Sequence, residues 1–511
     1  MEEYKEYINN LRESTMFHMS LGSKELFHSN FLHWISIVNW DAFLKIMHGL
    51  AGLNEGETFW WEDHKCSVEG YEEKYRPGNN NVKVFREHRN FDLSIYILDS
   101  ETHKDETKNS NNNEKADNDN TQVYTYNSEG KRLVQRWIPV LVMENKMKSL
   151  PYVAQLEGYT PKAFEEWRKG EKLIKPEINE LKSDSESEKT VSEEWIHKHG
   201  ITFVLLSLMD TKIGNDDDYK IEQELSYKKK GEKKLKFPFI WRPATYCQLV
   251  EILDEIITKG SFSLNKKLDR SVIKDYKDFV KAFCNLAEKW NVTPCMDYRS
   301  QIFPWNVNTP DAVAKRKEID EYKELRIHDI HEKLLYNQLL QLLEDKLKQE
   351  NLLFKRYNIK TFKEEINNKN CRIFTNSNYA HGVGIVEAFY VINEKFKLYI
   401  QVQGDRYCHM VIYEHIVSEG KDSEGKKTLS VNMGVVSEEC KNCLNPISET
   451  LGSYISIDSS KPNFPWEEQL FWGRYGNDNI YQFVVIPETA TILDVINAIV
   501  CDIKNIRNWY K

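Results

Sequence analysis

Asp92 and the run Glu144-Asn145-Lys146 stand in two strongly apolar segments, Asn90-Phe-Asp-Leu-Ser-Ile-Tyr-Ile-Leu98 and Ile138-Pro-Val-Leu-Val-Met-Glu-Asn-Lys146. Both segments read as strands, and a charge on such a strand is costly unless it is paired or hydrogen-bonded. Side chains two apart on a strand share a face, so Glu144 and Lys146 point one way and the Asn145 side chain the other, leaving only the Asn145 backbone toward a site. If the Asp92 strand is the neighbour, two carboxylates and an ammonium converge at one sheet end. Two close carboxylates repel, which raises one of their pKa values unless a cation lies between them. Mg2+ suits the arrangement, because it takes hard oxygen ligands at about 2.0–2.1 Å and keeps several waters. One such water becomes the nucleophile while the metal offsets phosphate charge. Lys146 orients that water or stabilises the developing charge. The chemistry these residue types name is metal-assisted hydrolysis of a phosphodiester, with Mn2+ as a substitute for Mg2+.

The elements that must position these groups follow from periodicity. Residues 1 to about 50 read as helical, with Leu26, Phe27, Phe31, Leu32, Trp34 and Ile35 at helical spacing and Ser23 as N-cap. Strands are expected at about 58–76 and 82–98. Residues 99–122 are Asn, Asp, Lys, Glu and Thr with almost no apolar side chains, which reads as a solvated, disordered insertion. After the Glu144 strand, Pro151 opens a helix running to about Lys169. A polar stretch (176–195) leads to the apolar strand Gly200-Ile-Thr-Phe-Val-Leu-Leu-Ser-Leu208. Helix, three strands, helix, strand is a complete α/β unit.

With Asp on one strand and Glu-x-Lys on the next, inside that order, the chain resembles the PD-(D/E)xK nuclease superfamily, Asn90-Phe91-Asp92 standing in place of Pro-Asp. Gln155-Leu-Glu-Gly-Tyr159 looks like the Gln-x-x-x-Tyr element of exonuclease-type members, and residues four apart share a helix face. Lys24-Glu-Leu-Phe-His-Ser-Asn-Phe-Leu32 is similar to the opening helix of a bacterial branch of largely uncharacterised or phage-defence-linked members. The resemblance covers about residues 15–210. It implies a restriction-endonuclease-like core and an Mg2+-dependent nuclease, acting on DNA before RNA, with a setting in anti-phage defence. It implies catalytic roles for Asp92, Glu144, Lys146, Gln155 and Tyr159, and metal contacts from Asp92, Glu144, the Asn145 carbonyl and Glu25. Glu87 is a substitute ligand. The bland alternatives are a salt bridge at the sheet rim, a polar face of the helix, and a Glu25 that serves the helix dipole. A catalytically silent member that binds nucleic acid or a partner protein is the competing function; the intact Glu-x-Lys on an apolar strand argues against it.

The 511 residues are too many for one core. The expected division is a nuclease-like domain at 1–244, a helical region at 245–350, and an α+β recognition or regulatory domain at 351–511. A net charge of −9 leaves nucleic-acid binding to a local patch. The densest basic cluster is Lys228, Lys229, Lys230, Lys233, Lys234 and Lys236, which reads either as a phosphate-binding patch or as a solvated loop. Cys440-Lys-Asn-Cys443, with Cys408-His409, has the spacing of a weak zinc motif. Gly420-Lys-Asp-Ser-Glu-Gly-Lys426 lacks the Ser or Thr of a phosphate-binding loop and reads as a hairpin turn. Trp60, Trp61 and Tyr407 could stack bases but by default pack in cores. Nine scattered cysteines suit reduced thiols. No run is long enough to span a bilayer and no signal peptide is evident, so a cytoplasmic protein without a membrane partner is expected. Self-association or a regulatory protein partner is left open.

Overall fold

The computed structural model describes every residue except 1, 24, 69–70, 76–80, 104–121, 127–131, 148–152, 171, 184–187, 210–218, 228–232, 259–266, 358, 381–382, 394–395, 414–416, 422–426, 432–472, 476–478 and 510–511. Mixed α and β elements form two compact units, Met1–Ala287 and Glu288–Lys511. No described helix is long and apolar enough to cross a membrane.

The first unit opens with four helices, α1 (Glu2–Glu13), α2 (Thr15–Ser23), α3 (Glu25–Val38) and α4 (Trp40–Leu50). Asn39 caps α4, its side chain accepting the Ala42 N–H at 3.1 Å. A small hairpin, β1 (Lys65–Val68) and β2 (Tyr71–Lys74), precedes the main sheet. That sheet is built from β3 (Val82–His88), β4 (Phe91–His103), β5 (Gln122–Tyr126), β6 (Arg132–Lys146), β7 (Glu188–Thr190), β8 (Thr202–Ser207), β9 (Lys220–Tyr227) and β10 (Lys233–Thr245). Its order is β3-β4-β6-β8-β10-β7, with β5 on β6 and β9 on β10. The β3–β4 and β4–β6 pairs are antiparallel, β6–β8 and β8–β10 parallel. Between β6 and β8 run α5 (Val153–Trp167), α6 (Lys175–Ser183), β7 and α7 (Glu193–His199). After β10 come α8 (Tyr246–Thr258) and α9 (Lys267–Glu288).

The central strands are buried on both faces, which is why they read as continuous apolar runs: Leu93, Ile95, Tyr96, Ile97, Val140, Leu141, Val142, Met143, Phe203 and Val204 are all inaccessible or nearly so. Neighbouring residues of β6 reach different helices. The Asn145 side chain meets α3, and Glu144 meets α5, so the two helices cover opposite faces of the sheet.

Several expectations need correction. Residues 99–103 continue β4, hydrogen-bonded to β6 as far as His103–Leu133, and Gln122 begins β5. Polar side chains did not prevent this because the ladder satisfies the backbone whatever the side chain. Residues 104–121 of the expected insertion lie outside the described residues, as does Pro151. The strand expected at 58–76 is a 3-10 turn (Trp60–Glu62) followed by the β1–β2 hairpin. The polar stretch 176–195 carries α6, β7 and the start of α7. Nor do the helices of the expected middle region form a body of their own. α8 and α9 belong to the first unit: α8 packs on α4, and Tyr276 of α9 stacks on Phe31 of α3.

In the second unit, α10 (Tyr298–Gln301), α11 (Pro310–Glu324), α12 (His328–Gln349) and α13 (Ile359–Asn368) accompany a seven-stranded sheet and a last helix, Ile492–Trp509. The sheet comprises β11 (Phe354–Arg356), β12 (Ile373–Ala380), β13 (Val383–Asn393), β14 (Phe396–Gln403), β15 (Arg406–Tyr413), β18 (Gly473–Tyr475) and β19 (Asn479–Val485), antiparallel except for β11–β12. α12 and the last helix pack on one face, where Thr375 donates to Glu344 at 2.8 Å and Tyr407 to Asp502 at 2.8 Å. Phe362 and Ile366 of α13 pack on the other, against Phe374, Phe389 and Val391. β16 (Val417–Lys421) and β17 (Lys427–Val431) pair as an antiparallel hairpin, so strands do flank the glycine-containing 420–426 segment.

Candidate active site

β4 enters the site through a two-residue turn. Arg89 and Asn90 connect the paired His88 and Phe91 with φ of 58° and 69°, the positive values that a primed hairpin turn demands. Phe91 comes next, directly before Asp92. It is fully buried, pairs with His88, and sets its ring edge-on to Tyr159 at 5.8 Å. A proline there would bring neither an N–H nor this contact. The turn is tied to α5 by Glu166, which forms an ion pair with Arg89, 2.7 Å from its Nε, and accepts from the Tyr96 hydroxyl at 2.5 Å.

Asp92 Oδ2 accepts the Asn145 backbone N–H at 2.7 Å, standing in for the next bond of the β4–β6 ladder. In an extended strand a residue's N–H and C=O leave on the same edge, so the Asn145 carbonyl shares the Asp92 edge of β6. Burial pushes the Asp92 carboxyl up to about 6, against the Asn145 N–H and Lys146, which pull it down.

Glu144, 2% exposed, receives Lys146 Nζ at 2.5 Å and Gln155 Nε2 at 2.5 Å on the same oxygen, Oε1. Its other oxygen is buried and has no hydrogen-bond partner among the described residues. Burial first, then the Asp92 charge, push Glu144 up to about 8 despite Lys146. Burial lowers the Lys146 ammonium, but Glu144, Glu25 and Asp92 together outweigh it and the net shift is upward. Gln155 also donates to the Tyr159 hydroxyl at 3.0 Å, so the i, i+4 pair faces Glu144 as one unit. Burial raises the Tyr159 phenol.

The sequence thus anticipates a cluster that the fold assembles: Asp92, Glu144, Lys146, Gln155 and Tyr159 converge at the end of β6. Glu25, the first residue of α3, joins through its carboxylate, 4.0 Å from Lys146 Nζ. Glu87 lies in register opposite Asp92, between the Arg86–Leu93 and His88–Phe91 pairs, but with φ 53° and an exposed side chain. The Asn145 side chain turns away, as its strand position requires. Its Nδ2 donates to the Glu25 carbonyl at 2.9 Å and to Ser29 Oγ at 3.3 Å, and its Oδ1 accepts from the Tyr246 hydroxyl. Ser29 and Tyr246 carry no signal of this in the sequence, since nothing local to residue 246 links it to residue 145.

The described lysines of the basic cluster are not at this site. Lys233, Lys234 and Lys236 begin β10, in a hairpin with β9 where Lys234 pairs with Glu224 at 3.1 Å. Lys146 is level with Ser207, and Ser207 with Thr245. Lys236 precedes Thr245 by nine residues, which is roughly 30 Å of extended strand. The reason is strand direction: β10 runs parallel to β6, so its first residues lie at the opposite end of the sheet. Lys228, Lys229 and Lys230 lie outside the described residues. So do Cys440 and Cys443. Cys408 is buried with its thiol pushed up to about 12 by burial, and its neighbour His409 bonds Asp502 at 2.9 Å. Trp61 and Tyr407 are core residues, and Trp60 Nε1 donates to the Gly200 carbonyl.

Among the described residues no three His, Cys, Asp or Glu side chains converge closely enough to hold a metal ion by themselves. The donors at the β6 end nevertheless suit a hard cation that takes one or two carboxylates and keeps waters. They are the buried Glu144 and the partly buried Asp92, each raised by burial, a Glu144 oxygen without a partner among the described residues, and a backbone carbonyl on the same edge. Comparison with family models, curated proteins and solved structures finds no match for the chain.

Proposed function

We propose that the chain is a divalent-metal-dependent nuclease that hydrolyses phosphodiester bonds, in DNA before RNA. The observation that carries the reading is the approach of Asp92 and Glu144 at one sheet end, one held by the Asn145 N–H and the other left with a buried oxygen beside Lys146 that has no partner among the described residues. The run of α3, the antiparallel strands β3, β4 and β6, then α5 and β8 supports it, with β3 and β4 both arising from the single strand expected at 82–98 and the strand expected at 58–76 standing outside the run.

Asp92, Glu144 and the Asn145 carbonyl would hold Mg2+ or Mn2+. The bound ion supplies Lewis acidity, making water a better nucleophile and offsetting phosphate charge. Lys146 brings a positive charge and three N–H donors to the same point, fit to hold an anionic phosphate oxygen or orient a water. Gln155 and Tyr159 present an amide and a hydroxyl from the rigid face of α5, fit to position the substrate backbone. Glu25 faces Lys146 and sets where its ammonium rests.

The test is cleavage of supercoiled, linear and single-stranded DNA, and of RNA, with Mg2+, Mn2+ or chelator. Asp92→Ala and Lys146→Ala are each expected to lower the rate by on the order of 10²-fold or more. Activity that survives both substitutions overturns the assignment. Binding without cleavage by the wild type favours the second reading, a catalytically silent nucleic-acid or partner-protein binder, in which the 2.5 Å Lys146–Glu144 contact is simply an ion pair. A setting in phage defence rests on the superfamily resemblance, and is read by plating phage on cells carrying wild type or Asp92→Ala.

A further inference from the structure

Asn145 is bonded on every hydrogen-bonding group of its side chain. Both amide donations go to α3, to the Glu25 carbonyl and Ser29 Oγ, and the amide oxygen accepts from Tyr246. Its backbone N–H holds Asp92. The residue is fully inaccessible, and so is Tyr246. An amide on an inner sheet face costs free energy unless it is satisfied, and here satisfaction requires α3 and α8 both to be in place.

Tyr246 is the first residue of α8 and directly follows Thr245, the β10 residue that is level with Lys146 across β8. Its phenol therefore reaches Asn145 from behind the site, on the face away from Glu144. The ring is wedged against His28 at 5.1 Å, and His28 in turn bonds the Tyr276 hydroxyl at 2.9 Å. The Glu25 carbonyl, in the first turn of α3, takes the Asn145 bond, so the same amide that sets the end of β6 also sets the residue whose carboxylate faces Lys146.

We propose that Asn145 and Tyr246 are the positioning residues of this site. The Tyr246 hydroxyl fixes the Asn145 amide, and the amide fixes the first turn of α3 against β6. The Asn145 peptide is thereby held so that its N–H grips Asp92 and its carbonyl stays on the same edge. Neither side chain touches the reacting atoms. This inference rests on the metal-dependent reading above, and α8, which begins beyond the stretch resembling the superfamily, becomes part of the metal site's support.

The experiment is Mn2+ titration by calorimetry on the full chain, with melting temperatures recorded in parallel, for wild type, Tyr246→Phe, Asn145→Ala, the double variant, and Tyr276→Phe. Tyr276→Phe is the control, since it also removes one buried hydroxyl from the same aromatic cluster, but one bonded to His28. Tyr246→Phe is expected to weaken Mn2+ binding by roughly 10-fold, and Asn145→Ala by roughly 10- to 100-fold. The double variant is expected to be no weaker than Asn145→Ala alone, because Tyr246 acts only through Asn145. Tyr276→Phe is expected to leave Mn2+ affinity unchanged. Wild-type affinity in Tyr246→Phe, an equal loss in Tyr276→Phe, or additive losses in the double variant would each overturn the inference while the metal site stood. A wild type that takes up no Mn2+ overturns the metal reading and this inference with it. Should Asn145→Ala fail to fold, the comparison of Tyr246→Phe with Tyr276→Phe still decides.

Discussion

Glu144 shows what a buried acid costs a fold. It is held by Lys146 and Gln155 on one oxygen, yet burial and Asp92 still favour its neutral form, and Asp92 is pushed the same way. The folded state therefore binds protons more tightly than the unfolded chain, whose carboxyls titrate near about 4. Between that range and about 8, the value to which Glu144 is pushed, the native state carries more protons, so these two groups make stability fall as pH rises. Glu144→Gln keeps the shape and removes the titration. In chelator, its melting temperature relative to wild type is expected to rise steadily from pH 5 to pH 8.5. A gap that does not move with pH would show that Glu144 is ionised throughout, held by Lys146. The same residues show the limit of reading charge from spacing. Lys228 to Lys236 is the densest basic run in the sequence, yet its described lysines sit at the far end of the sheet, because spacing along the chain says nothing about which way a strand runs.

At the scale of elements, α5 matters because Gln155 and Tyr159 are useful only if the helix is fixed on the sheet. It is fixed by Leu156, Phe164 and Trp167 in the core, and by a buried polar contact: Trp241 Nε1 of β10 donates to Thr160 Oγ1 at 2.9 Å, while that hydroxyl donates to the Leu156 carbonyl at 2.8 Å. Thr160→Val keeps the volume and strands the indole N–H. The expected loss is about 1–3 kcal/mol, the cost of a buried donor without an acceptor, read as a lower midpoint in urea denaturation. A neutral result would mean that the indole finds another acceptor. The order of these elements is legible in the sequence because buried central strands and an amphipathic helix have distinct periods. The division of 58–76 into a 3-10 turn and the β1–β2 hairpin, and the short β7, are not legible, because strands of three or four residues are too short to show a period of their own.

For the whole molecule, the two units have separate cores. Gly384 lies on β13 where the Tyr336 ring of α12 leaves no room for a Cβ. Gly384→Ala is expected to destabilise the second unit by about 1–3 kcal/mol through overpacking, seen as a lowered calorimetric transition. Mn2+ affinity at the β6 end is expected to stay at the wild-type value. A loss of Mn2+ binding in this variant would mean that the second unit supports the site in the first.

The sequence by itself determined the apolar strands that carry Asp92 and Glu144, the helix that follows them, the strand at 200–208, and the residues that converge on the sheet end. Apolar strands report burial, and a charge on such a strand needs a partner; both facts are local. Only the tertiary structure decided the rest: that Glu144 Oε2 is left without a partner among the described residues, that Glu25 faces Lys146, and that α8 supplies Tyr246 to the back of Asn145. It also assigned the helices of the expected middle region to two different units. Those outcomes depend on contacts between residues 101 or more positions apart in the chain. No periodicity encodes such contacts, because they follow from how finished elements pack.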